Sequence, residues 1–183
     1  MLEIRLAQFI DSTAIAELHA QSWRHAYRSA LSDSYLSGDI VADRLKLWNA
    51  RLSEPSVSQN VLVGYRGSEL LAFACAYTHE SREFGSLLDN IHVKPASHRQ
   101  GFGTSMLRAI SRQLEEKSPS SPLYLWVLQN NTNAQRFYQS FGATNIGSDI
   151  WHAPDGTKVP RYRFGRPSGE LPFTKTGAVR IDT

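Results

Sequence analysis

The 183-residue chain has one cysteine, Cys75, and no long apolar run. A single cysteine excludes an internal disulfide and a metal site built from several cysteines, and we expect no bound metal. A membrane helix needs about 20 consecutive apolar residues, so we expect no membrane partner. Glu3 and Arg5 interrupt the N-terminal stretch MLEIRLAQFI, which lacks the apolar core of a signal peptide. The expected location is therefore cytoplasmic.

Most of the chain also lacks an excess of positive or negative charge. The formal net charge is only +3, and from Asp155 onward six Lys or Arg face three Asp or Glu, which accounts for the whole surplus. The rest of the chain is near neutral and shows no basic face with interleaved aromatic residues. The composition therefore predicts no nucleic-acid partner.

Alternating helix and strand patterns predict one α/β domain over residues 1–165, followed by a tail, 166–183, without periodicity. The predicted order is strand, two helices, three strands, helix, strand, helix and two strands. A Gly67–Ser68 turn joins the second and third strands as a hairpin. Because a strand–helix–strand crossover makes its two strands parallel, the pattern predicts a mixed sheet with helices on both faces.

The stretch HRQGFGTSML, His98 to Leu107, places two glycines between a strand-like run and a helix-like run. Gly101 and Gly103 fall at the first turn of the predicted helix, where unpartnered backbone N–H groups and the helix dipole favour an anion. Glycine lacks the Cβ that would hold a phosphate away, and Thr104 adds a hydroxyl. The alternative is that the glycines only shape a tight turn. A dinucleotide-binding fingerprint would need a third glycine where the chain has Met106.

A longer pattern extends over the second half of the chain, where NIHVKPASHRQGFGTSML is followed by LYLWVLQNNTNAQRFYQSFGA, Leu123 to Ala143. The order V-x-P, basic turn, GxG, strand, N-x-x-A-x-x-F-Y and closing F-G resembles the GNAT superfamily of acetyl-CoA-dependent N-acetyltransferases. SWRHAY, Ser22 to Tyr27, is similar to the first-helix signature of an uncharacterised branch of that family. The resemblance implies a mixed, mostly antiparallel sheet with helices on both faces and splayed central strands.

The resemblance also implies acetyl-CoA as the acetyl donor, and it indicates where the donor binds. The expected pyrophosphate loop consists of Arg99, Gln100, Gly101, Phe102, Gly103 and Thr104. The pantetheine arm is expected between the splayed strands, paired with the backbone of Ile91 and Val93 as an added strand would be. Asn131 lies where family members contact CoA, although capping its helix is the stronger expectation.

Two residues are expected to move protons. Tyr138 occupies the family's position for the general acid that protonates the departing thiolate. Its alternative role is to pack with Phe137 against the sheet. For the base that deprotonates the incoming ammonium, Asp89, His92 and water remain open. Where some relatives use a glutamate for this purpose, the chain has Trp126.

The position of these candidates on the strand depends on its regularity. Strict alternation puts Asp89, Ile91 and Val93 on one face of the strand and His92 on the other, unless a bulge intervenes.

Trp23 and Tyr27, four residues apart on one helix face, are the expected acceptor-binding residues. Aromatic rings can hold a cation or an apolar amine, but at helical spacing such residues more often belong to the core. We expect an enzyme that transfers acetyl to a primary amine by direct attack, with a small-molecule amine as first choice. Protein N-terminal or lysine acetylation and a non-catalytic acyl-CoA-binding sensor are the alternatives. The oligomeric state stays open, with a homodimer as one alternative.

Overall fold

The computed structural model describes residues 2–165, so the predicted tail, 166–183, lies outside the described residues. The strands are β1 Glu3–Leu6, β2 Gln59–Arg66, β3 Glu69–Ser81, β4 Gly85–Val93, β5 Leu123–Leu128, β6 Thr144–His152 and β7 Lys158–Gly165. The α helices are α1 Ser12–Ala26, α2 Asp33–Ser37, α3 Ile40–Ser53, α4 Phe102–Lys117 and α5 Thr132–Gln139. None of the helices in this part of the chain has the length and apolar character needed to span a membrane.

The strands form one sheet in the order β1-β2-β3-β4-β5-β7-β6. Every neighbouring pair is antiparallel except β4 and β5, which are joined through α4 and are parallel. β2 and β3 form the predicted hairpin, whose turn residue Gly67 has φ 59°. The predicted mixed, mostly antiparallel sheet is confirmed.

The central strands separate soon after their pairing begins. Ser86, Leu87 and Leu88 of β4 pair with the first three residues of β5, and within residues 2–165 the later part of β4 pairs only with β3. The predicted splay is confirmed, and it opens a gap between the ends of β4 and β5.

Helices cover both faces of the sheet, as predicted, and each face has its own apolar cluster. On one face α4 packs on β3, whose Ala72 and Ala74 belong to a cluster to which α5 contributes Tyr138. On the other face α1 and α3 pack around Trp48 and Phe73, which are both fully buried. Side chains that leave β4 on opposite faces therefore enter different surroundings.

Among the α helices within residues 2–165, α2 is the one that the sequence pattern did not predict. Its first turn is capped by Ser32, whose hydroxyl accepts a hydrogen bond from the Tyr35 N–H at 3.4 Å. The Ser32 N–H in turn donates to the Asp155 carboxylate at 2.7 Å. Five residues are too few for an apolar period of 3.6 to be recognised, so only the cap could have indicated this helix.

Candidate active site

A β-bulge in β4 decides which side chains reach which side of the sheet. In the pairing of β3 with β4, Cys75 lies opposite Asn90, whereas the next residue, Ala76, lies opposite Leu88. Asp89 is therefore an extra residue on β4 without a partner of its own in the register. Such a bulge shifts the alternation of side chains by one position.

The consequence is that Asp89 and His92 line one cavity while Ile91 and Val93 line another. Strict alternation would have put Asp89 on the face of Ile91 and Val93. That expectation is wrong for this strand, because the exception that the sequence allowed, a bulge, is present at Asp89. Both candidate bases now share a cavity.

We call the cavity on the side of Ile91 and Val93 the α4 groove. It has a volume of about 670 Å³ and lies between β4, the start of α4 and α5. Its lining consists of His25, Ala26, Ile91, Val93, Ser97, His98, Arg99, residues 101–104 and 130–134, Phe137 and Tyr138. All the predicted donor-binding residues lie there except Gln100, whose side-chain oxygen accepts a hydrogen bond from Arg66 at 3.5 Å.

The turn before α4 has the backbone geometry of an anion site. Gly101, the residue that precedes α4, has φ 80°, and Arg99 has φ 62°. The first helical hydrogen bond runs from the Ser105 N–H to the Gly101 carbonyl at 3.0 Å. The preceding N–H groups of a helix have no partner within it, and residues 101–104 border the groove. An anion in the α4 groove can therefore accept hydrogen bonds from them.

Gly103 shows that this turn fits a closely approaching group. A Cβ at this position would lie 3.6 Å from Phe137 Cζ and 3.8 Å from Val93 Cγ2, at ordinary contact distance. Packing therefore does not demand glycine here, although glycine within a helix is less stable than alanine by about 0.5–1 kcal/mol. The space that a methyl would take lies beside two groove-lining residues, so the absence of a side chain leaves the backbone of the turn open to the groove.

The exposed edge of β4 lies along the same groove. The Lys94 N–H donates to the Leu71 carbonyl of β3 at 2.8 Å. Because backbone directions alternate along an antiparallel pair, the polar groups of Ile91 and Val93 point away from β3, into the gap toward β5. His98 Nε2 lies 3.0 Å from the Val93 carbonyl oxygen, so this ring ties the loop to β4. An extended ligand can pair with the remaining groups as an added strand.

Tyr138 and Asn131 reach the groove from α5. Tyr138 is 7% exposed. Burial raises the pKa of its phenol, and the neighbouring Tyr27 adds to the effect, so the phenol is protonated at neutral pH. Asn131 caps α5, because its side-chain oxygen accepts a hydrogen bond from the Ala134 N–H at 3.1 Å. The predicted cap is present, and Asn131 also forms part of the groove wall.

Several groove residues were not predicted from the sequence. His25, at the end of α1, faces His98 across the groove with ring centroids 5.8 Å apart. Phe137 contributes its ring to the wall beside Gly103. His25 comes from a distant part of the chain, and no local pattern could have placed it beside the glycine turn.

The second cavity, which we call the α1/β4 pocket, has a volume of about 340 Å³. It lies between α1, α3, β4, β5 and the β6–β7 hairpin. Its lining consists of His19, Trp23, Tyr27, Arg44, Leu47, Arg51, residues 87–90, His92, Trp126, Leu128, Trp151, Pro154 and Arg161. Because Tyr27 lines this pocket and Tyr138 lines the α4 groove, the two cavities approach each other where these phenols interact.

Trp23 and Tyr27 lie in one wall of the α1/β4 pocket, with ring centroids 5.2 Å apart. Trp151 of β6 completes this wall, 5.6 Å from Trp23 and 6.2 Å from Tyr27. The Arg44 Cζ lies 4.3 Å from the centre of the Trp23 ring. The sequence led us to expect a bound cation over these rings. At Trp23 the guanidinium of Arg44 takes that place.

Asp89 is held in the α1/β4 pocket by an ion pair. Arg51 Nη1 of α3 lies 2.8 Å from Asp89 Oδ2, and the neighbouring Asn90 amide donates to the same oxygen. The Asp89 side chain is 29% exposed, so the carboxylate remains accessible.

His92 and His19 lie side by side in the same pocket, with ring centroids 4.7 Å apart. Trp48 Nε1 donates to His19 Nδ1 at 3.0 Å, which leaves the His19 proton on Nε2. Burial lowers the pKa of His92 to about 4, and the positive charge of Arg44 adds to this. Burial, helped by His92, lowers the pKa of His19 well below its usual value. Both rings are neutral at neutral pH, and His92 can accept a proton.

Trp126 of β5 faces the α1/β4 pocket in the position where some relatives use a glutamate. The Cζ atoms of Arg161 and Arg163 of β7 lie 4.0 Å and 4.6 Å from the centre of its ring. The wall of the pocket therefore has, at this position, a tryptophan ring close to two guanidinium groups.

Cys75 is fully buried beneath α3, and burial raises the pKa of its thiol to about 12. Cys75 lines neither cavity. Within residues 2–165, no group of three or more His, Cys, Asp or Glu side chains is arranged to hold a metal ion.

The sequence of this chain is similar to those of known acetyltransferases. Residues 14–143 match the model of the acetyltransferase (GNAT) family. The chain is 26% identical over 170 residues to YuaI, an uncharacterized N-acetyltransferase of Bacillus subtilis (strain 168), which covers 91% of this chain and 94% of that protein. It is 34% identical over 91 residues to the ribosomal protein bS18-alanine N-acetyltransferase of Haemophilus ducreyi, covering 49% of this chain and 60% of that protein.

A solved structure shares the fold. The PaiA N-acetyltransferase of Thermoplasma acidophilum, in complex with coenzyme A, is similar to this chain with a TM-score of 0.64. The two sequences are 19% identical, and the match covers 88% of this chain and 98% of that one. At this identity the likeness concerns the fold.

Proposed function

The chain belongs to the GNAT family of acetyltransferases, and we propose that it transfers the acetyl group of acetyl-CoA to a small-molecule primary amine by direct attack. The observation that carries this proposal is the position of β4 between two cavities. Its backbone edge and the glycine turn face the α4 groove, whereas Asp89 and His92 face the α1/β4 pocket. The gap between β4 and β5 lies where donor and acceptor must meet.

The α4 groove would bind the donor, which supplies an activated acyl carbon when it is bound. Backbone N–H groups of residues 101–104 would hold the pyrophosphate, and Arg99 adds a positive charge at the same turn. The backbone of Ile91 and Val93 would pair with the pantetheine arm. An N–H on this edge would also stabilise the negative charge that grows on the thioester oxygen during transfer.

Tyr138 would protonate the departing thiolate. It lines the α4 groove, and its phenol is protonated at neutral pH, although burial raises its pKa and so makes it a weaker acid. A general acid of this kind contributes on the order of 10²-fold or more to the rate. In addition, Tyr138 packs against Phe137, with ring centroids 5.2 Å apart. The packing role considered from the sequence does not exclude the acid role, because the Tyr138 ring packs on Phe137 while the residue also lines the α4 groove.

Asp89 is our proposed base, acting on the ammonium through water, and His92 is the alternative. The Asp89 carboxylate is accessible, and it is paired with Arg51 at 2.8 Å. His92 is neutral at neutral pH, so it can accept a proton, but its lowered pKa makes it a weak base. Because the bulge brings both side chains to one cavity, the activities of the Asp89 and His92 variants can be compared directly.

Direct attack by the amine requires no covalent acetyl-enzyme. The one thiol of the chain, Cys75, is buried with a pKa raised to about 12 and lines neither cavity. A thiol in that state is not a nucleophile at neutral pH. Initial-rate kinetics should therefore give intersecting rather than parallel double-reciprocal lines.

The experiment that tests the function is release of free thiol from acetyl-CoA in the presence of a panel of primary amines. Amine-dependent thiol release with a mass gain of one acetyl group on the amine supports the proposal. CoA-dependent thermal stabilisation without turnover on any amine or peptide would instead identify a sensor of acyl-CoA.

A protein acceptor is the second candidate, and the similarity to the bS18-alanine N-acetyltransferase of Haemophilus ducreyi favours it. Incubation of labelled acetyl-CoA with cell extract, followed by separation by size, distinguishes the two. Label in the small-molecule fraction supports our first choice, and label confined to protein contradicts it.

A further inference from the structure

The α1/β4 pocket holds more positive than negative charge. Three guanidinium groups line it, those of Arg44, Arg51 and Arg161, against the single carboxylate of Asp89. Arg51 and Asp89 are paired within the pocket at 2.8 Å, so they neutralise each other there. Arg44 and Arg161, by contrast, have no carboxylate partner among the residues that line the pocket.

Arg44 and Arg161 both have hydrogen-bond donors to spare. Each bonds one carboxylate that does not line the pocket, Arg44 to Asp43 at 2.7 Å and Arg161 to Asp149 at 2.8 Å. Among the described residues, Nε of each arginine is buried without a hydrogen-bond partner. A guanidinium carries five N–H donors, and each ion pair uses Nη2 alone. A ligand in the pocket would therefore bond to the terminal Nη donors of these arginines and not to the enclosed Nε.

Two of the three tryptophans that line the pocket already stack with these arginines. Arg44 lies 4.3 Å from the ring centre of Trp23, and Arg161 lies 4.0 Å from that of Trp126. A cationic acceptor at either ring would therefore meet a guanidinium group. An anionic group would meet two fixed guanidiniums, which suit carboxylate and phosphate oxygens.

We propose that the acceptor is a primary amine that also carries a carboxylate or a phosphate group, and that Arg44 and Arg161 bind this anionic group in the α1/β4 pocket. The amine part rests on the proposed function. The anion-binding part depends only on the two arginines, and it can be measured without turnover.

The first test compares matched acceptors at saturating acetyl-CoA. L-amino acids are paired with their amides, O-phosphoethanolamine is paired with ethanolamine, and spermidine represents a cationic acceptor. We expect the anionic member of at least one pair to have a kcat/KM at least tenfold higher than its neutral partner. The amino-acid and phosphate pairs distinguish the two sources of the anion. A preference for neutral amines or for spermidine would overturn the proposal.

Variants assign the preference to the arginines. Arg161→Gln should reduce the ratio of anionic to neutral kcat/KM at least tenfold, mainly through KM for the amine. Arg44→Gln should do the same, but Arg44 is only 7% exposed and its loss can unfold the chain. The Arg161 side chain is 24% exposed, so its substitution should leave the chain folded and the result interpretable. A preference that persists in a folded Arg161→Gln variant contradicts the role of this arginine.

Binding can be followed separately, because three of the four tryptophans, Trp23, Trp126 and Trp151, line the pocket. Titration with O-phosphoethanolamine should change the intrinsic fluorescence saturably, and Arg161→Gln should weaken the response at least tenfold. Arg163→Gln is the matched control, since Arg163 lies 4.6 Å from the Trp126 ring centre but does not line the pocket. An equal loss in both variants would mean that the response reports Trp126 stacking rather than anion binding.

The two proposals fail in different ways. A fluorescence response to anions without acetyl transfer to any amine would contradict the proposed function alone. Acetyl transfer to neutral amines without any response to anions would contradict the anionic acceptor alone.

Discussion

Replacing Gly103 by alanine should make the protein more stable and its binding of CoA weaker. The new methyl would lie 3.6 Å from Phe137 Cζ and 3.8 Å from Val93 Cγ2, which is normal contact and needs no rearrangement. Alanine is favoured over glycine in a helix by about 0.5–1 kcal/mol. For a domain of this size 1 kcal/mol raises Tm by about 2–4 °C.

The same methyl would keep the pyrophosphate from the backbone of the turn. A hydrogen bond to a charged group is worth about 1.5–3 kcal/mol, so losing one should weaken CoA binding about 10- to 100-fold. Isothermal titration calorimetry gives the Kd and differential scanning fluorimetry gives Tm. S-acetylpantetheine, which lacks the pyrophosphate, should bind both proteins equally. Wild-type CoA affinity in a stabilised variant would refute the placement of the pyrophosphate.

Gly101 is a poorer test of the same idea. No atom lies within 4 Å of a Cβ built there, but φ is 80°. A residue other than glycine is strained in that conformation by about 1–2 kcal/mol. Gly101→Val should therefore lose stability as well as CoA affinity, so its two effects cannot be separated as they can at Gly103.

Three further predictions concern protons. Tyr138→Phe should lower kcat by about 10²-fold or more with little change in KM for acetyl-CoA, and steady-state kinetics showing an unchanged kcat would exclude the acid role. Asp89→Asn should lose activity at pH 7 and regain it at higher pH, where the amine arrives already deprotonated. If His92→Asn shows this pH–rate profile and Asp89→Asn does not, His92 is the base. The pKa of His92 is about 4 in the folded chain and about 6.5 in the unfolded chain. Between these two pH values the unfolded chain binds more protons than the folded chain. The free energy of unfolding should therefore fall, by at most about 3 kcal/mol, as the pH drops from about 6.5 to about 4. Urea midpoints measured from pH 7 to 4 should fall less in His92→Asn, and parallel curves for both proteins would contradict the low pKa.

Much of the fold could be predicted because its signals are local. A Gly67–Ser68 turn between two apolar runs predicted the β2–β3 hairpin, and Asn131 predicted the start of α5. The glycines at 101 and 103 likewise predicted a turn at the start of α4. Each signal acts over a few residues, through φ angles and capping hydrogen bonds. Such signals can be recognised in a single sequence.

The α1/β4 pocket could not be predicted because its residues come from separate parts of the chain. Arg44 lies on α3, Trp151 on β6 and Arg161 on β7. In the sequence each looks like an ordinary residue of an amphipathic helix or strand. Only the packing of α3 and the β6–β7 hairpin around the gap brings them together, so the positive charge of the pocket emerges at the level of tertiary structure.

The bulge at Asp89 was hidden for a different reason. The stretch SLLDNIHV has no glycine or proline to mark an extra residue, and its apolar positions fit a regular strand equally well. Yet one extra residue moves the Asp89 carboxylate from the side of the α4 groove to the side of the α1/β4 pocket, while the backbone of Ile91 and Val93 stays on the gap. In the proposed reaction the strand therefore serves the donor with its backbone and the acceptor with its side chains. A regular strand would place the candidate base beside the donor's binding edge, away from the amine.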